Sequence, residues 1–186
     1  MRISTDMIAP DLTGTWEIDP AHTGVEFSVR HAMVATVRGR FNTVSGTIEV
    51  GDELAGSSTD VTIDAASIDT GSEERDTHLR SPDFLDVERF PTLRFRATRV
   101  ERGEREGEYR ILGDLRIRDV TREVELDATY NGTATDPWGN LRAGLEAETT
   151  INRRDWGLTW NTPLEAGGIL VGDKVKITLD VSAVKR

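Results

Sequence analysis

The 186-residue chain contains no cysteine. That absence removes disulfide frameworks, zinc ribbons, iron–sulfur clusters and thiol catalysis together. Histidine is scarce at three residues, and aromatics are limited to five Phe, four Trp and two Tyr. Basic charge is also in deficit: 23 Lys and Arg face 33 Asp and Glu, a net charge of -10. A nucleic-acid binder needs clustered cations to neutralise phosphates, so that class of partner is excluded. No stretch reaches the roughly 18 consecutive apolar residues of a membrane-spanning helix. The start, Met1 to Pro10, has one Arg, an early Asp and no apolar run of secretory length. A cytoplasmic protein is the expectation, or a periplasmic or secreted one if a leader has been trimmed.

What remains is alternation. Hydrophobic residues make up 37% of the chain and 17 glycines accompany them, enough for one folded core. Val25, Phe27, Val29 and His31 alternate with Glu26, Ser28 and Arg30. Leu93, Phe95 and Ala97 oppose Arg94 and Arg96, while Tyr109, Ile111, Gly113, Leu115 and Ile117 oppose Arg110, Asp114 and Arg116. Similar runs begin near Trp16, Val44, Val61, Val124, Ala143 and Val175. This period of two predicts eight or nine strands, each apolar on one face and charged on the other. One-sided strands favour antiparallel pairing, because parallel strands are buried on both faces. The fold class expected is all-β, an up-and-down barrel or a sandwich. The aromatics are too few for the two girdles of a membrane barrel.

One stretch departs from the pattern. Thr70-Gly71-Ser72-Glu73 reads as a capping box opening a short helix through Leu79. Ser81-Pro82-Asp83 reads as the start of a second short helix running through Phe84, Leu85 and Val87 towards Phe90-Pro91. This insertion of about residues 70–91 would sit over one end of the sheet.

Seven small residues, Gly46, Ala65, Ala97, Gly113, Ala128, Ala143 and Ala147, share the apolar parity. They leave room for a cavity lined by Phe27, Val29, Ile63, Phe95, Leu115 and Ile117. Equally, they allow close approach of neighbouring chain. The pattern alone does not choose between the two.

Several motifs in collinear order resemble the YceI-like family of lipocalin-like polyisoprenoid-binding proteins. These are Gly14-Thr15-Trp16-Glu17-Ile18-Asp19-Pro20-Ala21-His22, Phe27-Ser28-Val29-Arg30-His31-Ala32-Met33 and Val37-Arg38-Gly39-Arg40-Phe41. Ser67-Ile68-Asp69-Thr70, Arg75-Asp76-Thr77-His78-Leu79-Arg80-Ser81 and Asp83-Phe84 continue the series. Phe90-Pro91, Asp119-Val120-Thr121, Asn152-Arg153-Arg154-Asp155-Trp156-Gly157-Leu158 and Gly167-Gly168-Ile169-Leu170-Val171-Gly172 complete it. The resemblance implies an eight-stranded antiparallel lipocalin-like barrel over residues 13–186, preceded by an N-terminal extension of residues 1–12. It implies a long apolar pore for a polyisoprenoid or isoprenoid-quinone tail, held non-covalently for transport or storage. It also allows a homodimer, although no exposed apolar strand in the sequence demands one. The residues expected at the ligand are Phe27, Val29, His31, Met33, Phe41, Ile63, His78, Leu79, Phe84, Leu85, Phe95, Leu115, Ile117, Trp156 and Trp160. Among these, Met33, Phe84, Trp156 and Trp160 are expected near an open end. No cofactor other than the lipid is expected.

The polar groups offer an alternative, an enzyme acting on a lipid or quinone through His78 with Asp76 as its orienting partner. Residues two apart do not face each other on a helix, so structural roles for Arg75 and Asp76 are favoured. A third reading is an interaction protein whose barrel is filled by its own side chains. His22, His31 and His78 lack the spacing of a metal site. Arg153-Arg154-Asp155 reads as an ion-paired turn closed by Gly157, or as a basic spot for an acidic headgroup.

Overall fold

A computed structural model describes residues 8–186, so residues 1–7 of the N-terminal extension lie outside the described residues. Eleven strand segments follow one another: β1 Gly14–Ile18, β2 Gly24–His31, β3 Ala35–Phe41, β4 Val44–Val50, β5 Ser58–Asp64 and β6 Ile68–Asp69 come first. The helix α1, Glu73–Arg80, precedes β7 Thr92–Arg102, β8 Glu108–Ile117, β9 Val120–Thr135, β10 Leu141–Asn152 and β11 Val171–Lys185. All pairings are antiparallel, and β1 pairs with β11 to close the sheet.

The excess over eight strands comes from interruptions. β1 and β2 lie end to end along β11, at Ile18↔Ala183 and Val25↔Leu179. β3 pairs β2 and β4 pairs β1, so they too are halves of one long strand broken at Asn42-Thr43. β5 pairs β4 and β6 pairs β3 in the same way. The result is an eight-stranded closed antiparallel barrel, because each break turns the chain without changing its neighbours. Closure leaves no exposed edge along the ring from β1 through β4, β5 and β7 to β11, whereas β3 before Arg40 pairs only with β2.

The alternating residues point as their parity requires. Leu93, Ala97, Leu115, Ile117, Val124, Leu126, Ala128, Ala147 and Ile151 are buried. The intervening charges pair outside, as where Arg94 clamps Asp60 across β7 and β5 with its Nε at 2.9 Å from Oδ1.

The insertion covers one end of the barrel. Its cap is Ser72, whose hydroxyl accepts the Arg75 N–H at 3.4 Å, and not Thr70 as the spacing suggests. Thr70 instead binds Asp76. The buried Asp76 carboxylate accepts the Thr70 N–H at 2.9 Å and its hydroxyl at 2.5 Å. Arg75 donates to the same Thr70 hydroxyl and carbonyl, both at 2.7 Å.

The second helix expected after Pro82 does not form. Leu85, Asp86 and Val87 send their N–H groups back to the carbonyls of Leu79, Ser81 and Arg80, and Asp86 turns left-handed with φ 50°. Folding back in this way buries Phe84, Leu85 and Asp86 in succession. A continuous helix would carry those three side chains around its circumference.

Candidate functional site

The inward faces of the strands enclose an apolar bore in two lobes. The central lobe, about 210 Å³, reaches the insertion through Leu79, Phe84 and Leu85, and its wall presents only apolar atoms. The second lobe, about 220 Å³, lies towards the start of β1 among Trp16, Ile48, Leu54, Ala97, Tyr109 and Tyr130. Ile18, Val61, Phe95, Leu126, Leu179 and Val181 line both lobes, so the two meet at that level.

Of the residues expected at the ligand, Phe27, Val29, Phe41, Ile63, Leu79, Phe84, Leu85, Phe95, Leu115 and Ile117 line the central lobe. Five others are placed elsewhere. Met33 is 61% exposed at the tip of the β2–β3 hairpin, where Ala32 and Met33 both adopt left-handed backbone (φ 50° and 63°). Two successive positive φ values define the tight hairpin turn, which carries Met33 away from the bore. His31, last in β2, pairs between Val171 and Ala35 and is half-buried beyond the lining. Trp156 is buried with its indole N–H donated to the Leu115 carbonyl at 2.9 Å, which makes it a strut.

His78 and Trp160 form an aromatic cluster behind the lobe. Their ring centroids lie 4.5 Å apart edge-on, and Phe84 stands 5.1 Å from His78 and 5.4 Å from Trp160. His78 Nε2 meets Asp83 Oδ2 at 2.8 Å, while Asp76 is engaged with Thr70. The His78–Asp76 pair required by an enzyme is therefore not formed. Among the described residues, no group of three or more His, Asp or Glu side chains could hold a metal.

Several lining residues lie outside the expected set. Val25, Val44, Ile68, Leu93, Val124, Leu126, Ile151, Val175, Ile177 and Leu179 complete the central ring, and parity alone could have marked them. Ile8, Leu12 and Leu54 carry no such signal, because they belong to connections.

The small residues divide between the two readings. Ala97, Ala143 and Ala147 border the second lobe and contribute space. Gly113 and Gly46 contribute contact. A Cβ on Gly113 would meet the Phe95 ring at 2.5 Å, and one on Gly46 would strike the Asp60 carbonyl oxygen.

One cation borders the central lobe. Arg153 is 3% exposed and donates to the carbonyls of Leu158 at 2.6 Å, Gly172 at 2.9 Å, Trp160 at 3.0 Å and Val171 at 3.2 Å. Burial draws its pKa below the usual arginine value, with Asp173 opposing that effect. Its donors hold together the loop that leads into β11, so it is not a free headgroup anchor. Arg154 pairs with Asp173 at 3.0 Å, and Gly157 at φ 78° ends the turn.

The strands thus close into an antiparallel barrel around two adjoining apolar lobes. The YceI-like domain matches residues 16–183. The chain belongs to the YceI-like family. A UPF0312 protein of Pectobacterium atrosepticum is 39% identical over 139 residues, spanning 74% of this chain and 71% of that protein. A UPF0312 protein of Staphylococcus aureus is 35% identical over 161 residues, 85% of this chain and 90% of its own.

Among solved structures, Burkholderia cenocepacia BcnA matches this YceI-like barrel with TM-score 0.76 and 19% identity, over 89% of this chain and 98% of BcnA. A Saccharophagus degradans protein described as a polyisoprenoid binding domain gives TM-score 0.68 at 15% identity, over 92% and 98% of the two chains. Both share the fold with this YceI-like chain.

Proposed function

We propose that this protein is a non-catalytic carrier or store for an isoprenoid lipid, a polyisoprenoid or the tail of an isoprenoid quinone. The observation that carries the reading is the central lobe, whose wall presents only apolar atoms and which joins a second lobe along the barrel axis. Such a wall recognises hydrocarbon by exclusion of water, at about 0.8 kcal/mol for each CH₂ transferred. Ordering a flexible tail offsets part of that gain. Isoprenoid chains have fewer free torsions than saturated acyl chains, because every unit holds a double bond, and so lose less on confinement. The same-fold polyisoprenoid binding domain of Saccharophagus degradans supports the choice of tail. Chemistry on the ligand has no favourable geometry, since His78 faces Asp83 and an aromatic cluster.

The test is extraction of the purified protein with organic solvent followed by mass spectrometry. A prenyl lipid in near-stoichiometric amount is the expected result. Its absence, combined with failure to bind added prenyl alcohols and prenyl quinones, overturns the reading.

A further inference from the structure

The second lobe is bounded by chain that belongs to no strand. The Leu12 N–H donates to the Ala9 carbonyl at 2.9 Å, closing a turn whose Ala9, Pro10 and Asp11 face solvent. Ile8 and Leu12, both half-buried, point the other way and line the lobe with Trp16 and Leu54.

This segment is fastened along one sector of the barrel mouth, from the β4–β5 connection past β1 to β11. At one side the Ile8 N–H donates to the carbonyl of Asp52, in the connection from β4 to β5, at 2.9 Å. Elsewhere on the rim, the Trp16 indole N–H donates to the Leu12 carbonyl at 2.8 Å and Lys185 Nζ to the Asp11 carbonyl at 2.6 Å. Tyr130 of β9 lines the same lobe as Ile8 and Leu12. In the ring of eight strands β1 lies between β4 and β11, so the three bonds share one stretch of rim. Residues 8–12 therefore lie along this part of the rim, with Ile8 and Leu12 turned into the lobe.

We infer that residues 8–12 are a strap that narrows this end of the bore and sets the longest tail the protein accepts. The inference rests on the carrier reading above. A tail entering the second lobe ends against Ile8 and Leu12, so further prenyl units must fold back or stay in water and gain no burial. Three hydrogen bonds and two apolar side chains hold the strap, with no ladder pairing, which makes it separable from the barrel.

The experiment compares the affinities of the parent, a deletion of residues 1–12 and Leu12→Trp for farnesol, geranylgeraniol and solanesol. Deleting the strap should raise the solanesol-to-farnesol affinity ratio by about tenfold or more, the effect of burying roughly two further CH₂ groups. Leu12→Trp, which fills the lobe from its end, should lower the ratio. If the deletion does not fold, the Trp variant decides alone. Binding with an unchanged ratio overturns the strap and leaves the carrier standing. No binding of these alcohols or of prenyl quinones by the parent, with no prenyl lipid in its extract, overturns the carrier reading, and the strap with it.

Discussion

Gly113→Ala tests the bore with a single methyl group. Gly113 is buried in β8 opposite Ala97 of β7. A Cβ at this position would lie 2.5 Å from Phe95 Cζ, 2.6 Å from Phe95 Cε2 and 2.6 Å from the Arg96 carbonyl oxygen. Carbon atoms in good contact sit at about 3.5–4.0 Å, so both neighbours are inside their limits. The carbonyl is fixed in the β7–β8 ladder, whereas the ring can yield. It can do so only by leaving the wall for the axis, at the level where the two lobes meet. Overpacking of this kind costs about 1–3 kcal/mol of stability. Each prenyl unit then prevented from passing the ring forfeits about 4 kcal/mol of gross transfer energy, partly offset by recovered chain entropy. Urea unfolding of the ligand-free variant should show the first effect. Competition binding should show solanesol affinity falling by more than about tenfold while farnesol affinity changes little. A variant within about 0.5 kcal/mol of the parent that binds solanesol undiminished would refute the placement of the Phe95 ring.

Arg153→Met should cost about 3–5 kcal/mol in urea unfolding, because it strips the buried carbonyls of their shared donor. Arg153→Lys should not restore that loss, since an ammonium cannot fork to the same acceptors, and a loss below about 1 kcal/mol would contradict the strut role. Asp76→Ala removes the acceptor of two Thr70 bonds and should cost about 1.5–3 kcal/mol, with earlier proteolytic cleavage within residues 70–91. Unchanged proteolysis would show that the insertion is held by other contacts. Asp19 is held at about pKa 2 by its bond to Arg142 and then by His22. Because its folded value lies below the unfolded value of about 3.9, its stabilisation is present above about pH 4 and drains as pH falls towards 2. Arg142→Gln should move the acid-unfolding midpoint to higher pH, and an unmoved midpoint would remove this pair from the acid response.

The barrel was legible because each strand has one wet face and one dry face. The parity of Leu93, Phe95 and Ala97 against Arg94 and Arg96 decides which side chains point inward, whatever the neighbours are. Strand continuity was less visible. The breaks at Asn42-Thr43 and at Pro20–His22 resemble ordinary turns in sequence, and only pairing along β11 reveals β1 and β2 as halves of one element. The missing second helix shows the limit of local signals. Ser81-Pro82-Asp83 is a sound helix start, but burial of Phe84, Leu85 and Asp86 together requires the chain to fold back on α1. Tertiary burial outweighs a first-turn preference of about 1 kcal/mol.

The site divides along the same line. Residues that line the bore from strands announce themselves by alternation, whereas those at its ends do not. Met33, expected near an open end, sits at a hairpin tip where two left-handed residues reverse the chain beyond the last ladder pair, and it is exposed there. Trp156 is large and apolar, yet its indole N–H requires an acceptor once buried, and the Leu115 carbonyl fixes it as structure. Ile8 and Leu12 reach the lobe because a turn at Ala9 sets them on one side, a relation with no period to detect. Gly113 carries the ambiguity furthest. A small inward residue can leave space or admit a neighbour, and here it admits the ring of Phe95, which lines both lobes. In this barrel the glycine gives an aromatic ring its place where the lobes adjoin, so its substitution should act on tail length as well as on stability.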